Sequence, residues 1–268
     1  MAATEKFIDI DGHALFYRVT GNGTPVILLH GFAEDNTIWQ HQTAALESQY
    51  QLIIPDLPGS GRSGATADMS MEGLAQSVKE ILTAELPEEQ QVIMIGHSMG
   101  GYVTLAFAEM YPEKLKAIGL FHSTAYADSE EKKTTRQKGI EFMLQHGGAL
   151  FIQQTTPNMF APAFKKDQPA VVQEIVDRYS NFSTESLVQY YKSMMARPDR
   201  TDVLRKSTNP VLFIAGEYDT AIPKEHTMQQ SYLPSLSYIH LLKESGHMGM
   251  LEEPEKSNQL LIGFLANA

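Results

Sequence analysis

The stretch Gln91 to Val103, QVIMIGHSMGGYV, sets a serine between two glycines as Gly96-His97-Ser98-Met99-Gly100, directly after a run of strand-forming residues. A serine so placed is a candidate nucleophile. Its hydroxyl is weak at neutral pH, so it needs a base to take the proton and an acid to orient the base. Both residue types occur downstream in suggestive places. Glu217-Tyr218-Asp219 follows the apolar run Pro210 to Gly216, and Glu244-Ser245-Gly246-His247-Met248 follows the run Tyr238 to Leu242. A strand, then serine, then helix, with aspartate and histidine following in that chain order, is the arrangement a nucleophile elbow requires. We therefore expect Ser98 as nucleophile, His247 as general base and Asp219 as its orienting acid.

The oxyanion formed when a hydroxyl attacks a carbonyl needs two donors. The Met99 amide, at a helix N-terminus, is one candidate, and the Phe32 amide in His30-Gly31-Phe32 is the other. Glu217 and Asp128 are rival acids with poorer loop positions, while Asp35 and Asp56 are expected to organise loops. His13, His41, His146 and His226 lie in segments without a chemical companion, and His240 lies within a strand. His97 is expected to point away from the base position. His30 beside the oxyanion loop and His122 just past a strand are candidate substrate contacts, as are Phe142, Met143 and Met194.

The elements that must position these residues are legible as patterns. Phe7 to Ile10 and His13 to Val19 flank Asp11-Gly12, a tight-hairpin signal. Val26 to Leu29, Gln51 to Ile54, Gln91 to Ile95, Ala117 to Phe121 and Val211 to Ala215 are short, continuous apolar runs that read as strands buried on both faces. Helical spacing between them, as in Leu74, Val78, Ile81 and Leu82, gives the alternation of a doubly wound α/β sheet. Helices are also expected at Met99 to Met110 and Pro254 to Leu265, the latter started by its proline. From 124 to 208 no buried-strand run appears. Val172, Ile175, Val176 and Tyr179 repeat at helical spacing instead, as do Leu187, Tyr190, Tyr191 and Met194 behind a Ser183 cap. The expected organisation is a core of residues 1–123 and 209–268 interrupted by a helical insertion, 124–208.

Composition excludes some functions. A net charge of −11 over 268 residues, with no long basic run, opposes binding to nucleic acid. The absence of cysteine removes disulfides, thiolate metal sites and cysteine nucleophiles. No apolar run approaches the length of a spanning helix and the N-terminus has no signal-like apolar region, so a cytoplasmic location away from membranes is the default expectation.

Taken together, VILLHGF at Val26 to Phe32, DLPGSGRS at Asp56 to Ser63, GHSMGG at Gly96 to Gly101, GEYD at Gly216 to Asp219 and GHMGMLEEPE at Gly246 to Glu255 resemble the α/β-hydrolase superfamily, in its single-domain, lid-bearing form. The resemblance implies an eight-stranded, mostly parallel sheet with an antiparallel second strand and a helical cap (lid) after strand six. It also implies the triad roles given above, with no metal and no cofactor. Relatives that are haloalkane dehalogenases or epoxide hydrolases carry aspartate at the nucleophile position, so Ser98 points instead to an acyl-enzyme route on small to medium carboxylic esters. Carbon–carbon bond hydrolysis and cofactor-free perhydrolysis are the enzymatic alternatives. A small-molecule receptor with a retained triad is the alternative from another class. An acidic substrate would require a cap arginine facing Ser98, and Arg136, Arg178, Arg197, Arg200 and Arg205 all occur in that span.

Overall fold

Asp11 and Gly12 both adopt left-handed backbone, with φ of 53° and 83°, the geometry that lets a two-residue turn follow the twist of its strands. The turn joins β1 (Thr4–Ile10) to β2 (His13–Thr20). The computed structural model describes residues 3–268; Met1 and Ala2, assigned to the core by the sequence reading, lie outside the described residues. Six further strands follow: β3 (Thr24–Leu29), β4 (Tyr50–Pro55), β5 (Val92–His97), β6 (Leu115–Phe121), β7 (Val211–Gly216) and β8 (Ser237–Leu242). They form one sheet in the order β1-β2-β4-β3-β5-β6-β7-β8. β2 runs antiparallel to both its neighbours, and every pairing from β4 to β8 is parallel.

All six residues of β5 and of β7 are buried, which accounts for their unbroken apolar character: helices cover both faces. α1 (Gln40–Leu46), α2 (Met71–Glu85) and α3 (Met99–Met110) alternate with the first strands. α4 (Glu130–His146), α5 (Gly148–Thr155), α6 (Pro162–Asp167), α7 (Pro169–Tyr179), α8 (Thr184–Ala196) and α9 (Thr201–Lys206) all fall between β6 and β7. α10 (Lys224–Gln230) follows β7, and α11 (Gly249–Glu252) and α12 (Pro254–Leu265) end the chain. Among the described residues, no helix is long and apolar enough to cross a membrane.

The winding direction reverses between β3 and β5, which pair directly, with Leu29 opposite Gly96. At such a switch point the loops leaving two neighbouring strands diverge and open a crevice above their C-terminal ends. The loop beginning at His30 and the turn at Ser98 are therefore brought side by side, although 68 residues of sequence separate them.

In the inserted segment, Val172, Ile175, Val176 and Tyr179 are all buried on α7, as their spacing predicts. Ser183 caps α8, its hydroxyl accepting from the Ser186 amide at 3.3 Å. α4 gave no comparable signal. Of its 17 residues only Ile140 and Met143 are buried. It is started by Ser129, whose hydroxyl accepts from the Lys132 amide, with Glu130 and Glu131 in the first turn where the helix dipole favours them.

Candidate active site

Ser98 links β5 to α3 with φ 50° and ψ −113°, a left-handed conformation that side chains rarely adopt. The turn holds because its glycines let the backbone cross itself. A Cβ at Gly96 would stand 2.2 Å from the Gly100 carbonyl, and one at Gly100 would stand 2.5 Å from the Leu29 carbonyl oxygen. Ala33 and His122 also have positive φ, 59° and 49°. Three such non-glycine residues following β3, β5 and β6 mark the C-terminal ends of these strands as strained, which is where functional groups tend to gather.

Asp219, in the loop after β7, is buried and fully engaged. Its Oδ1 accepts from the amides of Ala221 and Ile222 at 2.9 and 2.8 Å. Its Oδ2 faces two imidazoles, with His247 Nδ1 at 2.8 Å and His122 Nδ1 at 3.1 Å. Burial by itself would raise the Asp219 pKa, but the two histidines hold the carboxyl well below its usual range. The tautomer of His122 follows from its surroundings. Its Nε2 accepts from the Gly249 amide at 3.2 Å, so the ring's proton sits on Nδ1 and is donated to Asp219. Burial pushes the His122 pKa down to about 4 despite the neighbouring carboxylate. The same carboxylate directs the His247 proton to Nδ1, which leaves Nε2 as a base. Ligand-type atoms of His122, Asp219 and His247 lie within 4.8 Å of one another, but both Nδ1 atoms are within hydrogen-bonding distance of a single oxygen, an arrangement of hydrogen bonds rather than of coordination.

A second acid–histidine pair lies alongside. His97 Nδ1 is 2.9 Å from Glu34 Oε2, and His97 Nε2 is 2.9 Å from the backbone oxygen of His247. Both nitrogens face acceptors, so both must donate, and the ring is an imidazolium paired with a carboxylate. Burial opposes the charge, yet the Glu34 carboxylate raises the His97 pKa above its ordinary value. Glu34 Oε2 also accepts from the Gly31 amide at 2.6 Å. The pair thus ties the loop after β3 to the backbone of His247. Gly31 is pressed into this corner: a Cβ there would meet His97 Nδ1 at 2.9 Å and Ser98 Cβ at 3.2 Å.

The loop bearing His247 is docked on the inserted helices. The His247 amide donates to the Met159 carbonyl at 2.6 Å, and Glu252 accepts from the amides of both Gly246 and Ala161. Burial pushes the Glu252 pKa from 4.5 up to about 7. Between those values the folded protein keeps a proton that the unfolded chain has released. The contribution of Glu252 to stability is therefore complete below pH 4.5 and lost as pH rises through about 7. Urea unfolding at acidic and alkaline pH should show wild type losing on the order of 3 kcal/mol relative to Glu252→Gln across this window. Parallel pH profiles for the two proteins would refute the assignment.

Ser98 and His247 line one cavity of about 560 Å³. Its other walls are largely apolar, with Phe32, Phe151, Ile175, Met194 and Met248 among them. A larger groove, about 890 Å³, runs between the 59–70 loop and residues 178–193 and contains none of Ser98, Asp219 and His247.

With a serine elbow, a buried acid–imidazole pair and this sheet order established, comparison with known proteins decides the family. A profile of the alpha/beta hydrolase fold matches residues 24–254. The chain belongs to this family. This alpha/beta hydrolase is 25% identical over 258 residues to 3-oxoadipate enol-lactonase 1 of Acinetobacter baylyi, covering 95% of this chain and 94% of the relative. It is also 25% identical over 261 residues to the pimeloyl-[acyl-carrier protein] methyl ester esterase of Vibrio cholerae, covering 94% of this chain and 98% of that one. Among solved structures, a thermophilic esterase from Thermogutta terrifontis superposes with a TM-score of 0.91 at 27% identity, covering 100% of this chain and 99% of the other.

Of the substrate contacts expected in this hydrolase, Met194 lies in the cavity wall. Four others lie outside that wall. His122 stands behind Asp219 and is wholly buried. His30 donates to the Gly31 carbonyl from Nδ1 and accepts from the Leu57 amide on Nε2, which fastens two loops together. Met143 is buried within the hydrophobic core, and Phe142 packs against His146 and Phe151. Phe32 lines the cavity and Met99 opens α3 beside it; among the described residues neither amide donates to a backbone carbonyl. The rival acids are occupied elsewhere, Asp128 by Arg136 and Arg197, and Glu217 by Lys224. Glu34 carried no expectation. Its one sequence signal is a carboxylate three residues past the His30-Gly31 step.

Proposed function

We propose that the protein is a serine hydrolase of small to medium carboxylic esters that works through an acyl-enzyme. The observation that carries this reading is the shared cavity. An elbow serine lines it together with an imidazole whose Nδ1 is held by a buried, ionised aspartate.

Ser98 Oγ attacks the ester carbonyl carbon while His247 Nε2 takes the hydroxyl proton. The developing oxyanion is met by the Phe32 and Met99 amides, the latter reinforced by the N-terminus of α3. His247 then returns the proton to the leaving alkoxide and the alcohol departs. Water, deprotonated by the same nitrogen, attacks the acyl group and releases the acid, and the proton passes back to Ser98. Asp219 stays ionised throughout, fixing the tautomer and stabilising the imidazolium that forms in each half-reaction. Residues 124–208 act in this reading as a lid whose apolar side chains form the acyl pocket. The relatives support an ester or lactone carbonyl as the point of attack, since an enol-lactonase and a methyl ester esterase are among them.

Treatment with a fluorophosphonate probe should place the label on Ser98 and extinguish hydrolysis of p-nitrophenyl esters. Labelling at another residue, or turnover that survives complete labelling, would overturn the proposal.

A further inference from the structure

Two guanidinium groups, one buried and one half-buried, share one carboxylate beside the cavity. Asp128, its side chain fully buried, is 2.6 Å from Arg136 Nε through Oδ2 and 2.9 Å from Arg197 Nη1 through Oδ1. Arg197 is otherwise engaged within the protein: it donates to the carbonyls of Met194 and Tyr126, and its guanidinium lies 3.8 Å above the Tyr102 ring. Arg136 is different. It lines the same cavity as Ser98 and His247, with its guanidinium carbon 5.0 Å from the centre of the Tyr191 ring. Among the described residues, its one ion-pair partner is Asp128.

Asp128, Arg136 and Arg197 together therefore carry one excess positive charge in a poorly solvated place. Such a charge is costly to bury alone and far less so beside a partner. Lys132, one helical turn before Arg136, also lines the cavity and donates from its ammonium to the Ala221 carbonyl. Glu131, exposed on the same helix, reaches the lining as well. Arg136, whose side chain is only 12% exposed, is the guanidinium in that wall.

Resting on the ester-hydrolase reading above, we infer that Arg136 is a specificity-determining residue for substrates whose acyl part carries a second, ionised carboxyl group, such as half-esters of dicarboxylic acids or carboxylated lactones. The guanidinium binds that distal carboxylate while Ser98 attacks the ester carbonyl. The apolar walls accommodate the methylenes between them.

The test compares p-nitrophenyl valerate with the mono-p-nitrophenyl ester of glutaric acid, which replaces the terminal methyl by a carboxylate at equal chain length. Wild type should favour the half-ester in kcat/KM by about tenfold or more, the factor a charge-assisted hydrogen bond supplies. Arg136→Met should bring the ratio to about one or below, and Arg136→Lys should restore part of the preference. A ratio that stays unchanged in Arg136→Met, with both substrates losing rate equally, would show a purely structural arginine and overturn the inference. So would a wild type that prefers valerate. Glutarate binding, read as a rise in Tm of wild type that is absent in Arg136→Met, needs no turnover. Glutarate binding without cleavage of either ester would leave the carboxylate site standing and remove the ester reading. Valerate cleavage with neither half-ester preference nor glutarate binding would do the reverse.

Discussion

Ser98→Ala is expected to lower kcat/KM for ester substrates by roughly five to six orders of magnitude, the loss seen when a serine nucleophile is removed from a working triad. Folding should be unaffected. The Ser98 side chain makes no capping hydrogen bond to α3, and alanine meets the same steric restriction as serine at positive φ. The turn is held by its glycines and by the Ser98 amide, which donates to the Phe121 carbonyl at 2.9 Å. Steady-state kinetics beside thermal unfolding would check both halves. Residual activity above about one per cent of wild type would place the nucleophile elsewhere.

Asp219→Asn should be nearly as damaging, and for a reason that can be followed atom by atom. The Ala221 and Ile222 amides both point at Oδ1, so the new carboxamide keeps its oxygen there and turns its NH2 toward the two imidazoles. His247 must then accept on Nδ1, its proton moves to Nε2, and the nitrogen facing the cavity is no longer a base. A tautomer fault of this kind costs about four orders of magnitude in kcat. His122 cannot make the same adjustment, because its Nε2 already accepts from the Gly249 amide. One buried polar group is left without a partner, at a further cost of about 1 to 3 kcal/mol in stability. Kinetics and urea unfolding of the variant should thus fall together. A variant within tenfold of wild-type kcat would mean that Asp219 does not govern the base.

The strands and the elbow were legible because burial on both faces leaves few choices of residue. β5 and β7 read as apolar runs, and Pro254 marked the start of α12 to the residue. Ser98, Asp219 and His247 stood out because each follows a recognisable strand. What escaped notice depends on contacts between distant segments. Glu34 is a carboxylate in a loop until β3 and β5 pair and bring His97 to it. His122 could be placed near the site from its strand, but sequence spacing does not encode whether its ring faces the cavity or, as it does, the back of Asp219. Arg136 was one of five arginines between Thr124 and Thr208 with equal claims. α4 itself was invisible as a pattern, since a helix with two buried residues carries almost no apolar periodicity.

The attachment of residues 159–161 to the 246–252 loop bears on how such chains diversify. Because Met159 and Ala161 are bound to the segment that presents His247, the inserted helices are not a module that recombination can exchange freely. A donor segment whose backbone does not bring a carbonyl and an amide to these positions would release the imidazole along with the old specificity. Chimeras that transfer the insertion together with its anchoring glutamate should retain function where transfers of helices alone lose it.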